Sequence, residues 1–356
     1  MIREKENVQK LRIGFIGSGG MADAHLTGLS SAEKFPDVQI AAFCDVVLER
    51  AQAQADKYKE HEATAYSSAQ TMIAEAGLDA CYILLPPFAH GDAERACIEG
   101  NVPFLVEKPI GKDLGLLREL RDEVQRKNLI TAVGYMNRYQ PSVQRAKEAF
   151  TFDEPVIAYG GWIGGPPTTE NSYFATALIG QWWVIKDKSG GQFVEQVTHT
   201  VDLVRYFLGD AVEVYAHATT AFNKKLPNLL PNYTMDDALT TSIKFENGAL
   251  ATILASVATP IGGGVSLHVL GMHTAAQFKG WGHDVTILRK EEGGTAEESV
   301  ASVGEIFPVE DRAFLDAVRT GDRSKIRTDY ADGFKTTQVT VGANESAATG
   351  KPVDLT

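Results

Sequence analysis

An apolar run, LRIGFIG at residues 11–17, passes directly into SGGMA, and that junction limits what the first half of the chain can become. Gly17, Gly19 and Ala22 make a G-x-G-x-x-A pattern at the point where a buried strand gives way to a helix. Gly17 permits the tight turn, and Gly19 lets backbone approach a pyrophosphate. Ala22 is small enough for the helix to pack on the strand, while the helix N-terminus faces the phosphates. A glycine pattern alone can be no more than a structural turn, so its setting decides.

That setting is an alternation. Apolar runs at 11–17, 38–45, 79–86, 103–108 and 130–136 are separated by amphipathic stretches of helical length at 21–31, 46–59, 67–76, 91–99 and 113–127. Mostly apolar runs, rather than alternating ones, are expected of parallel strands covered on both faces. After Pro141 the character changes. A short helix over 142–150 leads into longer alternating strands, with Asn247-Gly248 as a hairpin cue, and helices over 309–320 and 330–349 close the chain. The predicted fold class is α/β: an N-terminal Rossmann doubly wound parallel sheet over 1–138, then an α+β domain with a large, mostly antiparallel open sheet over 139–356.

Two further places bear chemistry. Asp45 ends the second strand, a little farther from Gly19 than the usual spacing of about 20 residues. A carboxylate there can hold the adenosine ribose hydroxyls and repel a 2'-phosphate, which favours NAD over NADP; it is also placed to cap the next helix. Glu107-Lys108-Pro109 follows the fifth strand, at the carboxyl edge where ligands sit in such sheets, and its proline is a candidate for a cis bond.

The stretch GGQFVEQVTHTVDLVRYFLGD, 190–210, reads as one helix, which would put Glu195 and His199 on a common face and raise the basicity of the imidazole. Asp202 and Arg205 are spaced for an ion pair on that helix. Trp182, Trp183 and Tyr173 suit either sugar stacking or packing, and His268, His273 and His283 lack metal-site spacing, so they read as structural or surface residues.

Net charge of -12 repels nucleic acid and anionic lipid. Cys44, Cys81 and Cys97 have no paired spacing and read as reduced thiols acting as small hydrophobes. With no apolar leader and no run of membrane length, the expectation is a cytoplasmic protein without metal.

Taken in order, GSGGMA, Asp45, LLPPFAH (84–90), VEKP (106–109), GYMNRY (134–139), SGGQFVEQVTH (189–199) and NESAATGKPVDL (344–355) resemble the Gfo/Idh/MocA oxidoreductase family along nearly the whole chain. The resemblance implies NAD contacts from Gly17, Gly19, Gly20, Met21, Asp45, Pro86, His90, Glu107, Lys108 and Asn137. It implies catalytic roles for Lys108, His199 and Glu195. Here Glu195 stands where inositol dehydrogenases of that family carry Asp, and Val184 stands where many relatives carry Arg, a contact left absent or supplied by Lys186. The implied function is NAD(P)-dependent hydride transfer on a sugar, cyclitol or related polyol, in a homodimer or homotetramer. Two other readings stay open: a non-catalytic dinucleotide and sugar sensor, and an enzyme using bound NAD transiently for a redox-neutral elimination or hydrolysis.

Overall fold

A computed structural model describes residues 9–171 and 178–356, so Tyr173 lies outside the described residues. The first half builds a six-stranded sheet from β1 (Leu11–Ile16), β2 (Val38–Cys44), β3 (Thr64–Tyr66), β4 (Ala80–Ile83), β5 (Phe104–Val106) and β6 (Thr131–Val133), ordered β3-β2-β1-β4-β5-β6. Every pairing in it is parallel. β3 escapes the apolar pattern because it is an edge strand of three residues. Helices α1 (Gly20–Leu29), α2 (Leu48–Lys57), α3 (Ala69–Glu75), α4 (Asp92–Glu99) and α5 (Leu114–Arg126) form the crossovers. The strand order reverses between β1 and β4, and the carboxyl edge at such a reversal is where a crevice opens.

After α6 (Pro141–Ala149) comes a nine-stranded sheet. Its strands are β7 (Pro155–Ile163), β8 (Ala211–Thr219), β9 (Ala238–Phe245), β10 (Leu250–Ser256), β11 (Gly264–Gly271), β12 (Thr274–Lys279), β13 (Asp284–Glu291), β14 (Gly294–Val300) and β15 (Val353–Asp354). Only β7 and β10 run parallel; every other neighbouring pair is antiparallel. The Asn247-Gly248 cue does join β9 to β10, with Gly248 at φ +85°.

The helix expected over 190–210 is divided. A single turn α7 (Lys186–Ser189) precedes another, α8 (Gln192–Glu195), and α9 (Thr198–Leu208) follows. The amides of Gln196 and Val197 both return to the carbonyl of Gln192, at 2.9 and 3.0 Å. That wide turn inserts a residue into the helical register and removes the common face expected of Glu195 and His199.

Helices α10 (Phe307–Thr320) and α11 (Tyr330–Thr349) run back to the first sheet. Phe314 and Leu315 join the core beneath β1 and β2, and Tyr330 and Phe334 join the one beneath β5 and β6. No described helix is long and apolar enough to cross a membrane.

Nearly every residue of α9 is buried, so its polar members need internal partners. Asp202 receives a two-pronged contact from Arg138, which sits in the turn after β6, at 2.7 and 2.8 Å. Arg205 turns to Asp210 and Asp332, at 2.8 and 2.9 Å. The Asp202–Arg205 pair anticipated from spacing does not form, because each finds a better placed charge on a neighbouring element. Arg138→Met should therefore cost about 3 kcal/mol or more, the usual consequence of stranding one buried ion. Urea unfolding measures it, and adding Asp202→Leu should recover part of the loss.

Candidate active site

β1 ends against Gly17, whose φ is +98° and whose notional Cβ would lie 2.3 Å from the Leu84 carbonyl oxygen. No larger residue fits between the first and fourth strands there. A Cβ at Gly19 or Gly20 would meet nothing within 4 Å, and no side chain caps α1. The first amides of a helix have no intrahelical acceptor, so an open concavity lined by backbone N–H groups remains, with Met21 exposed at its rim. Asp45 braces the loop: one carboxylate oxygen receives the Ser18 amide at 3.1 Å and the other the Val47 amide at 2.9 Å. Its expected capping role is met only locally, since α2 begins at Leu48. The buried Asn137 amide nitrogen has no partner among the described residues, which leaves a donor for a ligand. Glycine loop, acid and orphan donor together fit a dinucleotide.

Glu107 and Lys108 end β5 and diverge, and the bond to Pro109 is cis. The Glu107 carboxylate turns inward, 3% exposed, where it takes the Lys108 amide at 3.0 Å and faces His25 Nε2 at 3.3 Å. It reaches no open surface of the loop, so the contact expected from its side chain is not in place. His25, from α1, is wholly buried, and its Nδ1 meets Asp311 of α10 at 2.7 Å. Burial works against the imidazolium, but the charges and hydrogen bonds of Asp311 and Glu107 outweigh it and raise its pKa to about 10.

Lys108 projects the other way. Its ammonium donates to Glu195 Oε1 at 3.3 Å and to the Glu195 carbonyl at 3.2 Å. The second oxygen of Glu195 accepts from the Trp183 indole at 2.6 Å, which fixes the carboxylate from behind. Trp183 is thus buried as an anchor rather than presented for stacking, and Trp182 packs edge to face on Phe88. Position 184 is a buried Val, and Lys186, the candidate replacement for an Arg contact, is paired with Asp236 instead.

His199 lies in the first turn of α9 within electrostatic reach of Lys108. Glu195 does not pair with it, since both carboxylate oxygens are taken, and the predicted rise in basicity is reversed. Burial first, then the Lys108 ammonium, then the His283 ring hold its pKa well below the ordinary value, so it is neutral near pH 7. Its Nδ1 is buried without a hydrogen-bond partner among the described residues. Tyr135 and Trp281 each meet the ring edge to face, at 6.1 and 5.3 Å between centroids.

Trp281 and His283 come from the turn between β12 and β13, more than 80 positions beyond His199 in sequence. Nothing local marks them. Two glycines spaced around a tryptophan in a hairpin turn were the only signal, and His283 read as structural.

His90, expected either to reach the cofactor cleft or to cap the helix after it, has a side chain 1% exposed, with Nδ1 on Glu94 at 2.6 Å and Nε2 on the Leu85 carbonyl at 3.1 Å, so both ring nitrogens are occupied at the start of α4. Pro86 is half-buried at the carboxyl edge of β4. All three cysteines are buried and free, and burial pushes the Cys44 thiol up to about 12, which removes it as a nucleophile. Among the described residues no group of three or more potential ligands could hold a metal ion.

A family model described as "Oxidoreductase family, NAD-binding Rossmann fold" matches residues 11–135, and one described as "GFO/IDH/MocA C-terminal domain" matches residues 160–277. The chain is 26% identical over 293 residues to scyllo-inositol 2-dehydrogenase (NAD(+)) of Bacillus subtilis (strain 168), covering 80% of each. It is 25% identical to the inositol 2-dehydrogenase of Mycolicibacterium gilvum (strain PYR-GCK), covering 97% of this chain and 93% of that one. The crystal structure of myo-inositol 2-dehydrogenase from Lactobacillus plantarum superposes with a TM-score of 0.77 at 23% identity, over 98% of this chain and 100% of that one.

The His25 cluster makes a prediction about stability. In the fold His25 keeps its proton up to about pH 10, whereas unfolded it loses it near 6.5. Its contribution is complete below 6.5 and is lost as pH rises through about 10. Urea midpoints should fall between pH 7 and 10, and His25→Gln should be less stable at pH 6 with a flatter decline.

Proposed function

This chain belongs to the Gfo/Idh/MocA oxidoreductase family, and from that membership we propose that Lys108, Glu195 and His199 are the working side chains of an NAD-dependent dehydrogenase acting on a sugar, cyclitol or related polyol. The single observation that carries the reading is that residues from β5, α8 and α9 converge at the carboxyl edge of the sheet whose glycine loop is open for phosphates.

Backbone at Gly17, Gly19, Gly20 and Met21 would hold the pyrophosphate, Asp45 the adenosine ribose, and Pro86 and Asn137 the side of the crevice nearer β4 and β6. When bound, NAD would supply the acceptor or donor of the hydride. Asp45 sets the preference for NAD, since a 2'-phosphate placed beside it meets a like charge.

The chain's own chemistry concerns the proton. His199 is neutral, so it can accept the proton of a substrate hydroxyl across the physiological range. Lys108 stabilises the oxygen as that proton leaves. Glu195, fixed by Trp183, holds the ammonium in place. Run backwards, an imidazolium at His199 would give its proton to the oxygen of a ketone being reduced, while Lys108 stabilises that oxygen. A sensor that only bound sugar would need no desolvated imidazole beside a lysine.

The outer face of the large sheet presents Val156, Ile157, Tyr159, Leu250 and Leu254 to solvent. A contiguous apolar surface of this kind supports assembly into a homodimer or homotetramer.

Absorbance of NADH tests the reading across a panel of cyclitols, aldoses and anhydro sugars, with NAD and NADP in parallel. Lys108→Ala and His199→Ala should each lower kcat by roughly 100-fold or more while NADH binding is kept. An active His199→Ala enzyme would remove the proposed base. Because the imidazole is already unprotonated, kcat/KM should be level from pH 6.5 to 8, with any acid limb assigned to His199 lying below 6.5.

A further inference from the structure

Lys108 stands at the end of a short backbone lead. β5 stops at Val106 and Pro109 has no amide, so the Lys108 N–H is the one backbone donor between Glu107 and Ile110. That N–H goes to Glu107 Oε2 at 3.0 Å. The Glu107 amide itself continues the ladder, on the Ile83 carbonyl at 2.8 Å. Whatever fixes the Glu107 carboxylate therefore fixes the root from which Lys108 reaches Glu195.

The carboxylate is seated from two sides. Gly134, just beyond β6, faces it: a Cβ there would lie 2.6 Å from Oε1 and 2.9 Å from Oε2, so a larger residue would push the group out of its place. On the other side His25 Nε2 faces Oε1 at 3.3 Å, and the opposite nitrogen of that ring meets Asp311 at 2.7 Å. Tyr82 and Phe307 flank the imidazole, at 5.3 and 4.9 Å between centroids. The ring is wholly buried, so each nitrogen keeps one direction, toward one carboxylate.

Asp311 alone would suffice to hold His25 between α1 and α10. The second nitrogen is directed instead at the residue before the lysine. A carboxylate only 3% exposed that lost this partner would take up a proton or turn away, and either change loosens its hold on the Lys108 amide. Misplacing a reacting group by about 1 Å can slow a reaction about 100-fold.

We infer that His25, oriented by Asp311, is a positioning residue for the reaction: acting through Glu107 from outside the cleft, it sets where Lys108 places its ammonium. The inference rests on the dehydrogenase reading above, in which Lys108 stabilises the reacting oxygen, and adds the buried chain of side chains that aims it.

Two substitutions at one position separate aim from stability. His25→Gln keeps a donor near Nε2, facing Glu107, and gives up the Asp311 contact; His25→Asn keeps a donor near Nδ1, facing Asp311, and gives up Glu107. Steady-state kinetics with saturating NAD on the cyclitols, aldoses and anhydro sugars of the panel above, with NADH binding followed by fluorescence, read the outcome. His25→Asn should lower kcat by about tenfold to 100-fold, and His25→Gln by clearly less. KM and NADH affinity should stay within about twofold of wild type in both. Glu107→Gln, which retains an acceptor for the Lys108 amide and a donor for the imidazole, should keep more of kcat than Glu107→Leu. Added to Lys108→Ala, His25→Asn should lower kcat no further, because nothing remains to be aimed.

Equal kcat in the two His25 variants, or a loss that persists in full on top of Lys108→Ala, overturns the inference and leaves the dehydrogenase intact. So does a fall in NADH affinity that matches the fall in kcat, since His25 would then act by holding α1. Should His25→Asn not fold, Gly134→Ala displaces the same carboxylate from its other side and must reproduce the kcat loss; a wild-type kcat there is equally fatal. A wild type that binds NADH yet oxidises nothing in the panel removes both readings.

Discussion

The two-pronged contact between Arg138 and Asp202 is the constraint on which the rest of the molecule turns. Arg138 sits where the chain leaves the parallel sheet, and Asp202 lies one turn along the helix that carries His199. A guanidinium fork on a carboxylate fixes angle as well as distance, so this single pair sets how the second half presents its imidazole to the first. Arg138 also donates to the Arg327 carbonyl at 2.8 Å and contacts Asp332, which draws the returning C-terminal segment into the same junction. The Tyr135 hydroxyl and Thr198 Oγ1, 2.8 Å apart, close the joint nearer the cleft. Burying so much charge has an energetic cost, and Asp202 registers it in a pKa raised by burial despite its partner.

Burial has opposite results at two histidines only a few side chains apart. His25 is enclosed by Asp311 and Glu107 and stays charged, whereas His199 is enclosed by aromatic rings, an ammonium and another imidazole and stays neutral. The difference lies in the neighbours, not in exposure, since both side chains are almost wholly buried. One serves as a fixed cation tying α1 to α10 and to the root of the lysine-bearing turn. The other stays uncharged near pH 7. Glu107 and Lys108, adjacent in sequence, are divided between these two environments because a strand end sends successive side chains to opposite sides.

Much of this was legible in the residues. Mostly apolar runs between amphipathic stretches gave the parallel sheet, and the glycine pattern located the phosphate loop, because both depend on local spacing and on conformations that few residues adopt. The hairpin at Asn247-Gly248 followed from turn chemistry in the same way. The errors share a cause. The division between α8 and α9 comes from one amide reaching back five residues, which no helical periodicity encodes. The internal partners of His90 and Glu107, Glu94 and His25, were equally out of reach of local pattern, because buried polar atoms take the partner that tertiary packing brings nearest.

What the sequence determined by itself was therefore the order of elements, the place where a dinucleotide loop must form, and the residue types available for proton transfer. These are properties of short windows, where backbone sterics and hydrophobic period act without reference to distant parts of the chain. Tertiary structure alone decided that Trp183 holds Glu195, that Glu195 holds Lys108 instead of His199, and that a turn near residue 281 stands against the imidazole. Contacts between residues so far apart depend on how the two sheets are set against each other, and charge states depend on the contacts.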